Sequence, residues 1–223
     1  MPVPEHRELW TKAKLFINRA LVADGSRDFE ERAFWAAAAL ELLAKAALAR
    51  VSPLLIIPPD TDGKHVLAAL GVIAYDDTVV QTVAAKTLWA RSERAFRPFS
   101  QREATRISAG RNEYLHGSGT GLPDLPEEIW WGRFWNQATM LIVALDQDLD
   151  AFIGSRRVTQ VEGYLEGHKE HVKEHVASLI ARSSQRLAQR ANPSIAASLR
   201  DELTTARDLS LDPPMSLRLA VLA

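Results

Sequence analysis

The sequence predicts an all-α fold that ends in a long C-terminal helix. Ala, Leu, Arg and Glu dominate the 223 residues, and all of them favour helices. The period-two alternation of apolar and polar residues that is typical of half-buried strands is scarce. With 47% hydrophobic and 25% charged residues, the composition is that of an ordinary globular protein, which excludes bulk disorder.

Glycine, proline and capping residues divide the first part of the chain into six predicted helices. Asp24-Gly25-Ser26 ends the first helix and offers Ser26 as the N-cap of the second, which Ser52-Pro53 ends. Pro58 to Gly63 is typical of a loop, and the glycine-rich stretch from Gly117 to Pro123 is a second clear break. The predicted helices span about residues 5–23, 27–51, 65–70, 77–96, 101–116 and 126–153.

The sixth helix and the tail after Gly154 each carry an apolar stripe at steps of three and four. In the sixth helix the stripe predicts a packing seam of Trp131, Trp135, Ala138, Ile142, Leu145, Leu149 and Phe152. The tail predicts a helix over about 155–191 and a shorter one over about 193–208. The longer helix must bury its stripe against the bundle or a second chain, through Val158, Val161, Leu165, His168, Val172, Val176, Leu179, Ser183 and Leu187. We therefore predict a helical bundle at 1–153 and a C-terminal helical extension at 154–223 that docks or dimerises.

Charge, cysteine content and hydropathy exclude several classes of protein. The formal net charge of −1 gives no global field that recruits nucleic acid or membrane, so such binding needs a local patch. The chain has no cysteine, which excludes disulfides, thiolate chemistry and cysteine-based zinc sites. The longest apolar stretch, 33–49, contains Glu41 and Lys45 and is shorter than the ~20 apolar residues of a membrane span. We expect a cytoplasmic protein that does not contact a membrane.

The most informative motif is Arg111-Asn112-Glu113-Tyr114-Leu115-His116, followed by Gly117. Ala104, Ile107, Arg111 and Leu115 follow at steps of three and four, so Arg111 lies on the apolar stripe of its predicted helix. A guanidinium in that position costs several kcal/mol unless it is paired, which predicts a carboxylate, a partner chain or an anionic ligand opposite Arg111.

Asn112 and His116 are four residues apart and therefore share a helix face. Together with Arg111 they supply a fixed cation, a neutral donor and acceptor, and a group that titrates near neutrality. These groups suffice to cleave a phosphodiester without metal, because a histidine can move the proton of a ribose 2′-hydroxyl or of the leaving oxygen. An arginine can stabilise the charge that develops at phosphorus. The other interpretation is an ion-paired arginine and a histidine that caps its helix.

In an all-helical chain, Arg111-Asn112-x-x-x-His116-Gly117 resembles the signature of the HEPN superfamily, and the apolar second helix with Glu41 and Lys45 is similar to the family's. The resemblance covers roughly 5–152 and implies an up-and-down bundle. Many HEPN proteins are metal-independent ribonucleases of toxin, antiphage or CRISPR systems whose active site combines the Arg and His of two chains, and others only bind nucleotides, RNA or proteins. Toxins of this family that are silenced by adenylylation carry Tyr where this chain has Ser118.

By this resemblance Arg111, Asn112 and His116 are the catalytic residues. We predict that Glu41, Lys45 and Tyr114 lie around them and support them. Two interpretations of Glu41 remain open. One is an ion pair with Lys45, four residues away on the same helix. The other is that Glu41 orients Arg111 or His116 across the bundle.

The stretch 86–111 contains seven basic residues against Glu93 and Glu103, a local charge of +5 that attracts a phosphate backbone. We predict that the RNA-binding residues are Arg94, Arg97, Arg102 and Arg106. Nearby aromatic residues stack on bases if they are exposed and belong to the core if they are not: Trp89, Phe96, Phe99 and Tyr114.

His168, His171 and His175 share a helix face, but about 10.5 Å of helix separates the first from the last, so one metal ion cannot easily bind both. We expect no metal and no cofactor. The sequence thus predicts a metal-independent endoribonuclease of HEPN type. It would act as a homodimer on RNA in a toxin or antiviral defence system, with an antitoxin or regulatory protein as a possible partner. The alternative is a non-catalytic HEPN-like helical module that binds a protein, nucleotide or RNA.

Overall fold

The computed structural model describes residues 5–22, 28–58, 63–70, 72–73, 81–116 and 126–190, and their side chains except at 110–116 and 187–190. Regular structure in these ranges is entirely helical, which confirms the all-α fold class. The α-helices are α1 (His6–Ala20), α2 (Phe29–Val51), α3 (Lys64–Ala69), α4 (Ala85–Ala95), α5 (Gln101–His116), α6 (Glu127–Ala144), α7 (Leu149–Ile153) and α8 (Val158–Arg190). No helix in these ranges combines the length and the apolar character needed to cross a membrane.

Helix α2 lies at the centre of the bundle and packs against α1, α4, α5 and α6. Its run of Ala and Leu gives it a high helix propensity, and the small alanine side chains let neighbouring helices approach closely. The Asp28 carboxylate accepts a hydrogen bond from the backbone N–H of Glu31 at 2.8 Å. Asp28 is therefore the N-cap, whereas the predicted cap, Ser26, lies outside the described residues.

Helices α1 and α2 are antiparallel, and an aromatic cluster joins the end of α1 to the first half of α2. The Phe16 and Trp35 rings meet edge to face with their centroids 5.2 Å apart. The Arg19 guanidinium lies over the Trp35 ring at 4.7 Å from its centroid, a cation–π contact. These contacts align the C-terminal turn of α1 with the beginning of α2.

Helices α2 and α6 run parallel, because ion pairs join their beginnings and their ends. Arg32, near the start of α2, pairs with Glu127, the first residue of α6. Arg50, near the end of α2, pairs with Asp146 and donates a hydrogen bond to the Ala144 carbonyl at 2.8 Å. The Arg50 bond satisfies one of the backbone carbonyls that the end of a helix leaves without a partner.

Helix α5 runs antiparallel to α6, and therefore to α2. The backbone N–H of Ser100 donates to Oε1 of the buried Gln137 at 2.7 Å. Three residues further along α5, Glu103 lies 3.8 Å from Arg133, which precedes Gln137 by one turn of α6. Helices α2, α5 and α6 thus alternate in direction along the chain.

Helix α4 begins later than the sequence predicts. Residues 81–84 are not helical, although a helix was expected from residue 77, and residues 77–80 lie outside the described part. The backbone N–H of Val83 donates to the Ile56 carbonyl at 2.9 Å, just beyond the end of α2. This bond to another segment holds the chain extended, so the first helical residue is Ala85.

The predicted sixth helix is two helices, α6 and α7. Asp146 has the left-handed backbone angle φ = +51°, and its N–H donates to the Val143 carbonyl. The N–H of Gln147 donates to the Ile142 carbonyl, which completes a C-terminal cap without glycine. The predicted seam itself is confirmed, because its residues are buried or, at Leu149, partly buried: Trp131, Trp135, Ala138, Ile142, Leu145, Leu149 and Phe152.

Internal contacts group the chain into two units, Met1–His168 and Lys169–Ala223, and α8 contributes residues to each. In the first unit Val161 is 1% exposed, and Tyr164 stacks on Trp131 with centroids 6.1 Å apart. In the second unit the described residues of the stripe are exposed, at 45% for Val172, 47% for Val176 and 45% for Leu179. Among the described residues, the stripe is thus buried or partly buried only up to His168. The predicted division at residue 154 stays a prediction.

Candidate functional site

The Arg111–His116 motif occupies the end of α5. The helix begins at Gln101 and its last residue is His116, as the sequence predicts. The backbone of Arg111, Asn112 and Tyr114 is helical as well, while the side chains of residues 110–116 lie outside the described part. The catalytic assignment of Arg111, Asn112 and His116, and the supporting role of Tyr114, therefore remain predictions.

Glu41 and Lys45 form the ion pair that was one of the two interpretations. Lys45 Nζ lies 2.8 Å from Glu41 Oε1, one helical turn away on α2. The Lys45 side chain is 14% exposed and the Glu41 side chain is 17% exposed, so water screens the pair only in part. The pair lies on the least buried stripe of a helix that is otherwise mostly covered. Whether Glu41 also orients Arg111 or His116 stays open.

The helix directions place the beginning of α5 beside the middle of α2. The hydrogen bond between Ser100 and Gln137 places the start of α5 beside Gln137 of α6. The Arg32–Glu127 ion pair places Arg32 of α2 at the same height along the bundle as Glu127 of α6. Glu41 is nine residues after Arg32, and Asn136 is nine residues after Glu127. The Glu41–Lys45 pair is therefore level with the first turn of α5. At 1.5 Å per residue, the backbone of Arg111 lies ~15 Å further along α5, towards the start of α2.

Both acidic residues of the basic stretch, Glu93 and Glu103, have hydrogen-bond or ion-pair partners. Glu93 Oε1 accepts a hydrogen bond from the backbone N–H of Gln101 at 3.0 Å and so caps the start of α5. Glu103 Oε1 pairs with Arg106 at 2.9 Å, and Glu103 Oε2 lies 3.8 Å from Arg133. Arg133 was missed by the sequence analysis, because no local spacing links it to a residue on another helix.

The four predicted RNA-binding arginines are all exposed, but they differ in their contacts. Arg106 is in the ion pair with Glu103. Within the ranges that the structure describes, Arg94, Arg97 and Arg102 form no ion pair. Arg91 is different again: its Nη1 donates to the carbonyls of Leu55 and Ile57, at 2.7 and 3.1 Å. Arg91 therefore anchors the chain after α2 to α4.

The aromatic residues of the basic stretch belong to the core where they are described. Trp89 is 2% exposed and Phe99 is 1% exposed, with their ring centroids 6.2 Å apart. Phe96 is partly buried against the same core, and the side chain of Tyr114 lies outside the described part. Trp89 and Phe99 are therefore structural residues and offer no surface for base stacking.

The three histidines of α8 lie on the surface or at its edge. His168 and His171 are half-buried and His175 is exposed. In the described part of the chain, no group of three or more His, Asp or Glu residues has an arrangement that holds a metal ion.

Comparisons of the chain with protein-family models, with curated proteins and with solved structures find no match. Assignment of a function therefore depends on the residues themselves and on where the fold places them.

Proposed function

We propose that this chain is a metal-independent endoribonuclease of the HEPN type that acts as a homodimer. One observation carries the proposal: α5 continues without a break through Arg111 and ends at His116. The cation, the amide of Asn112 and the imidazole thus belong to the last two turns of one helix. The all-α fold class is compatible with the same assignment.

The end of a helix suits the work of His116. The last carbonyls of a helix carry a partial negative charge, which favours a protonated imidazole within the final turn. Histidine is the side chain whose ordinary pKa lies closest to neutral pH. Arg111, one and a half turns earlier, remains charged at any physiological pH and can hold a phosphate.

The proposed reaction is an internal transfer at phosphorus. The ribose 2′-oxygen bonds to phosphorus, its proton passes to a base, and the bond from phosphorus to the 5′-oxygen breaks. The leaving 5′-oxygen takes up a proton, so the products carry a 2′,3′-cyclic phosphate and a 5′-hydroxyl. His116 supplies the base or the acid, Arg111 stabilises the charge at phosphorus, and Asn112 positions the phosphate.

A homodimer supplies the two proton-transfer groups that this reaction uses. Each chain contributes one His116, so a site shared by two chains holds one imidazole that accepts a proton and a second that donates one. Arg94, Arg97, Arg102 and Arg106 would bind RNA beside it. In a cytoplasmic toxin or antiphage system such an enzyme slows growth when overproduced, unless an antitoxin or another regulatory protein binds it.

The experiment is RNA cleavage in EDTA with analysis of the product ends. Wild type should yield 5′-hydroxyl and 2′,3′-cyclic phosphate ends, and a 2′-deoxy substitution at the cleaved nucleotide should abolish cleavage there. His116→Ala should lower the rate by about a hundredfold or more. His175→Ala, which removes an exposed histidine far along α8, is the matched control and should cleave as wild type does. Cleavage of the 2′-deoxy substrate, or equal rates for the two variants, contradicts the proposal.

A second function is favoured by the ion pair of Glu41, whose Oε1 accepts a hydrogen bond from Lys45. A carboxylate with a structural partner is what a non-catalytic helical module would carry, with Arg111 as a further structural ion pair. That module would bind a protein, a nucleotide or RNA. It predicts that Arg111→Ala lowers the free energy of unfolding by ~3–5 kcal/mol, the cost of breaking a buried pair.

A further inference from the structure

Three arginines lie in or beside the turn between α4 and α5, and the two nearby carboxylates, Glu93 and Glu103, bond to other groups. Arg94 lies in the last turn of α4, Arg97 lies in the turn, and Arg102 is the second residue of α5. All three are exposed, and none is ion-paired within the part of the chain that the structure describes. We call the surface formed by these three residues the arginine corner.

One hydrogen bond brings the two ends of the arginine corner together. Glu93 of α4 accepts from the backbone N–H of Gln101 at 3.0 Å. Arg94 and Arg102 directly follow these two bonded residues in the chain, and Arg97 lies in the short segment between them. Glu93 is thereby committed to capping α5, and Glu103 to Arg106 and Arg133. Glu103 is offset by Arg106 and Arg133, and the three arginines of the corner outnumber the single charge of Glu93, so the corner keeps a net positive charge for a ligand.

The aromatic residues of the same segment do not accompany the arginines on the surface. Trp89 and Phe99 are almost completely buried, and Phe96 packs on the core. Proteins that read single-stranded nucleic acid by stacking place aromatic rings in the binding groove. The arginine corner has the charge for such a ligand, but none of the described aromatic residues of this segment is exposed beside it, so it contacts phosphates and not base faces.

We propose that the arginine corner binds the phosphates of single-stranded RNA without sequence preference. This inference rests on the proposed function, because the same helix leads from Arg102 to the motif. His116 is 14 residues further along α5, or ~21 Å at 1.5 Å per residue. The corner holds the strand beside that helix, and selection of the cleaved bond takes place at the motif. Arg91 takes no part, because its guanidinium is bonded to backbone carbonyls.

The test measures RNA binding and RNA cleavage separately. Binding of a fluorescein-labelled single-stranded RNA of mixed sequence is followed by anisotropy, with the His116→Ala chain so that the RNA stays intact. The triple change Arg94→Gln, Arg97→Gln and Arg102→Gln is compared with Arg7→Gln, Lys12→Gln and Arg156→Gln. The control removes three exposed cations elsewhere in the first unit and lowers the net charge equally. Thermal melting establishes that both triple variants are folded.

We expect the corner variant to bind RNA about tenfold or more weakly, and the control variant to bind within about twofold of the parent chain. The slope of log affinity against log salt should shrink by about 2 for the corner variant, since each phosphate contact to a single strand contributes about 0.7. A single-stranded DNA of the same sequence should lose affinity by the same factor, because phosphates carry no information about the sugar.

The outcomes separate this inference from the proposed function. If wild type cleaves RNA but both triple variants bind alike, the arginine corner is not the binding surface and the nuclease assignment survives. If wild type never cleaves yet the corner variant alone loses RNA binding, the corner stands and the nuclease assignment falls. Corner-dependent binding of polyglutamate as tight as that of RNA overturns the inference in favour of an acidic protein partner.

Discussion

Lys45 and Glu41 form an ion pair of 2.8 Å on the central helix, with both side chains more than four-fifths buried. Because water screens this pair only in part, removal of one partner takes away part of the compensation of the other charge. Replacement of both charges by apolar residues removes that penalty as well as the attraction, and such replacements are often close to neutral.

We therefore predict that Lys45→Met lowers the free energy of unfolding by about 2 kcal/mol. The double change Glu41→Leu and Lys45→Met should cost less than Lys45→Met alone. Urea unfolding of wild type, both single variants and the double variant forms the cycle that measures this coupling. Additive losses, or a loss below about 0.5 kcal/mol for Lys45→Met, would show that the pair contributes little.

The same double variant tests whether Glu41 also positions the catalytic residues, which within one chain it could do only indirectly, since the Arg111 backbone lies ~15 Å further along α5. If it does, the folded double variant should lose between about ten- and a hundredfold in kcat, because small displacements of reacting groups cost that much. KM should stay near the wild-type value, since substrate contacts are unchanged. An unchanged kcat in a folded variant would assign the pair a structural role alone.

Gly132 of α6 is required by the close approach of α8. A Cβ atom at this position would lie 2.9 Å from the Cβ of His168 and 2.9 Å from the backbone carbonyl oxygen of Tyr164. Neither atom is the end of a flexible side chain, so one helix must move. We predict that Gly132→Ala lowers the free energy of unfolding by ~1–3 kcal/mol.

The matched control for Gly132 is Gly163, which lies on α8 and has no atom within 4 Å of its ideal Cβ position. Gly163→Ala should raise the free energy of unfolding by ~0.5–1 kcal/mol, because alanine is the better helix former. Chemical denaturation of the two variants checks the opposite signs. A stable Gly132→Ala protein would show that α6 and α8 do not pack as closely as described.

Arg91 should matter for stability and Arg94 should not, although both lie on α4. Arg91→Gln loses two hydrogen bonds from a charged donor to the carbonyls of Leu55 and Ile57, and should cost ~1.5–3 kcal/mol. Arg94→Gln changes an exposed side chain and should stay within ~0.5 kcal/mol of wild type. Thermal or urea unfolding measures both. Equal losses for the two variants would contradict a structural role for Arg91 that Arg94 does not share.

Local signals in the sequence were enough to predict most of the helices. Ser52-Pro53 ends α2, Gly154 follows α7, and α5 extends from Gln101 to His116, as expected from capping residues and breakers. The break after Ala144 was missed because Asp146 adopts a left-handed conformation that usually indicates glycine. The late start of α4 was missed because it depends on a bond from Val83 to the distant Ile56.

The candidate site was predictable only where its contacts lie within one helix. The spacing of four residues predicts the ion pair of Glu41 and Lys45. The glycine-rich stretch that begins at Gly117 predicts that His116 lies at the end of a helix. The partners of Arg91 and Glu103 come from other segments, and they depend on how the helices are aligned. A single sequence carries no direct record of that alignment, so these two residues were assigned by charge alone.

Cleavage of one RNA in EDTA by the folded Arg111→Ala protein tests the central claim most directly. Arg156→Ala removes an exposed arginine outside α5 and serves as the control. We predict that Arg111→Ala melts within about 2 °C of wild type and cleaves at least about a hundredfold more slowly, while Arg156→Ala matches wild type in both. If the Arg111→Ala protein cleaves at the wild-type rate, or if its melting temperature falls by about 10 °C or more, a catalytic role for this arginine is contradicted.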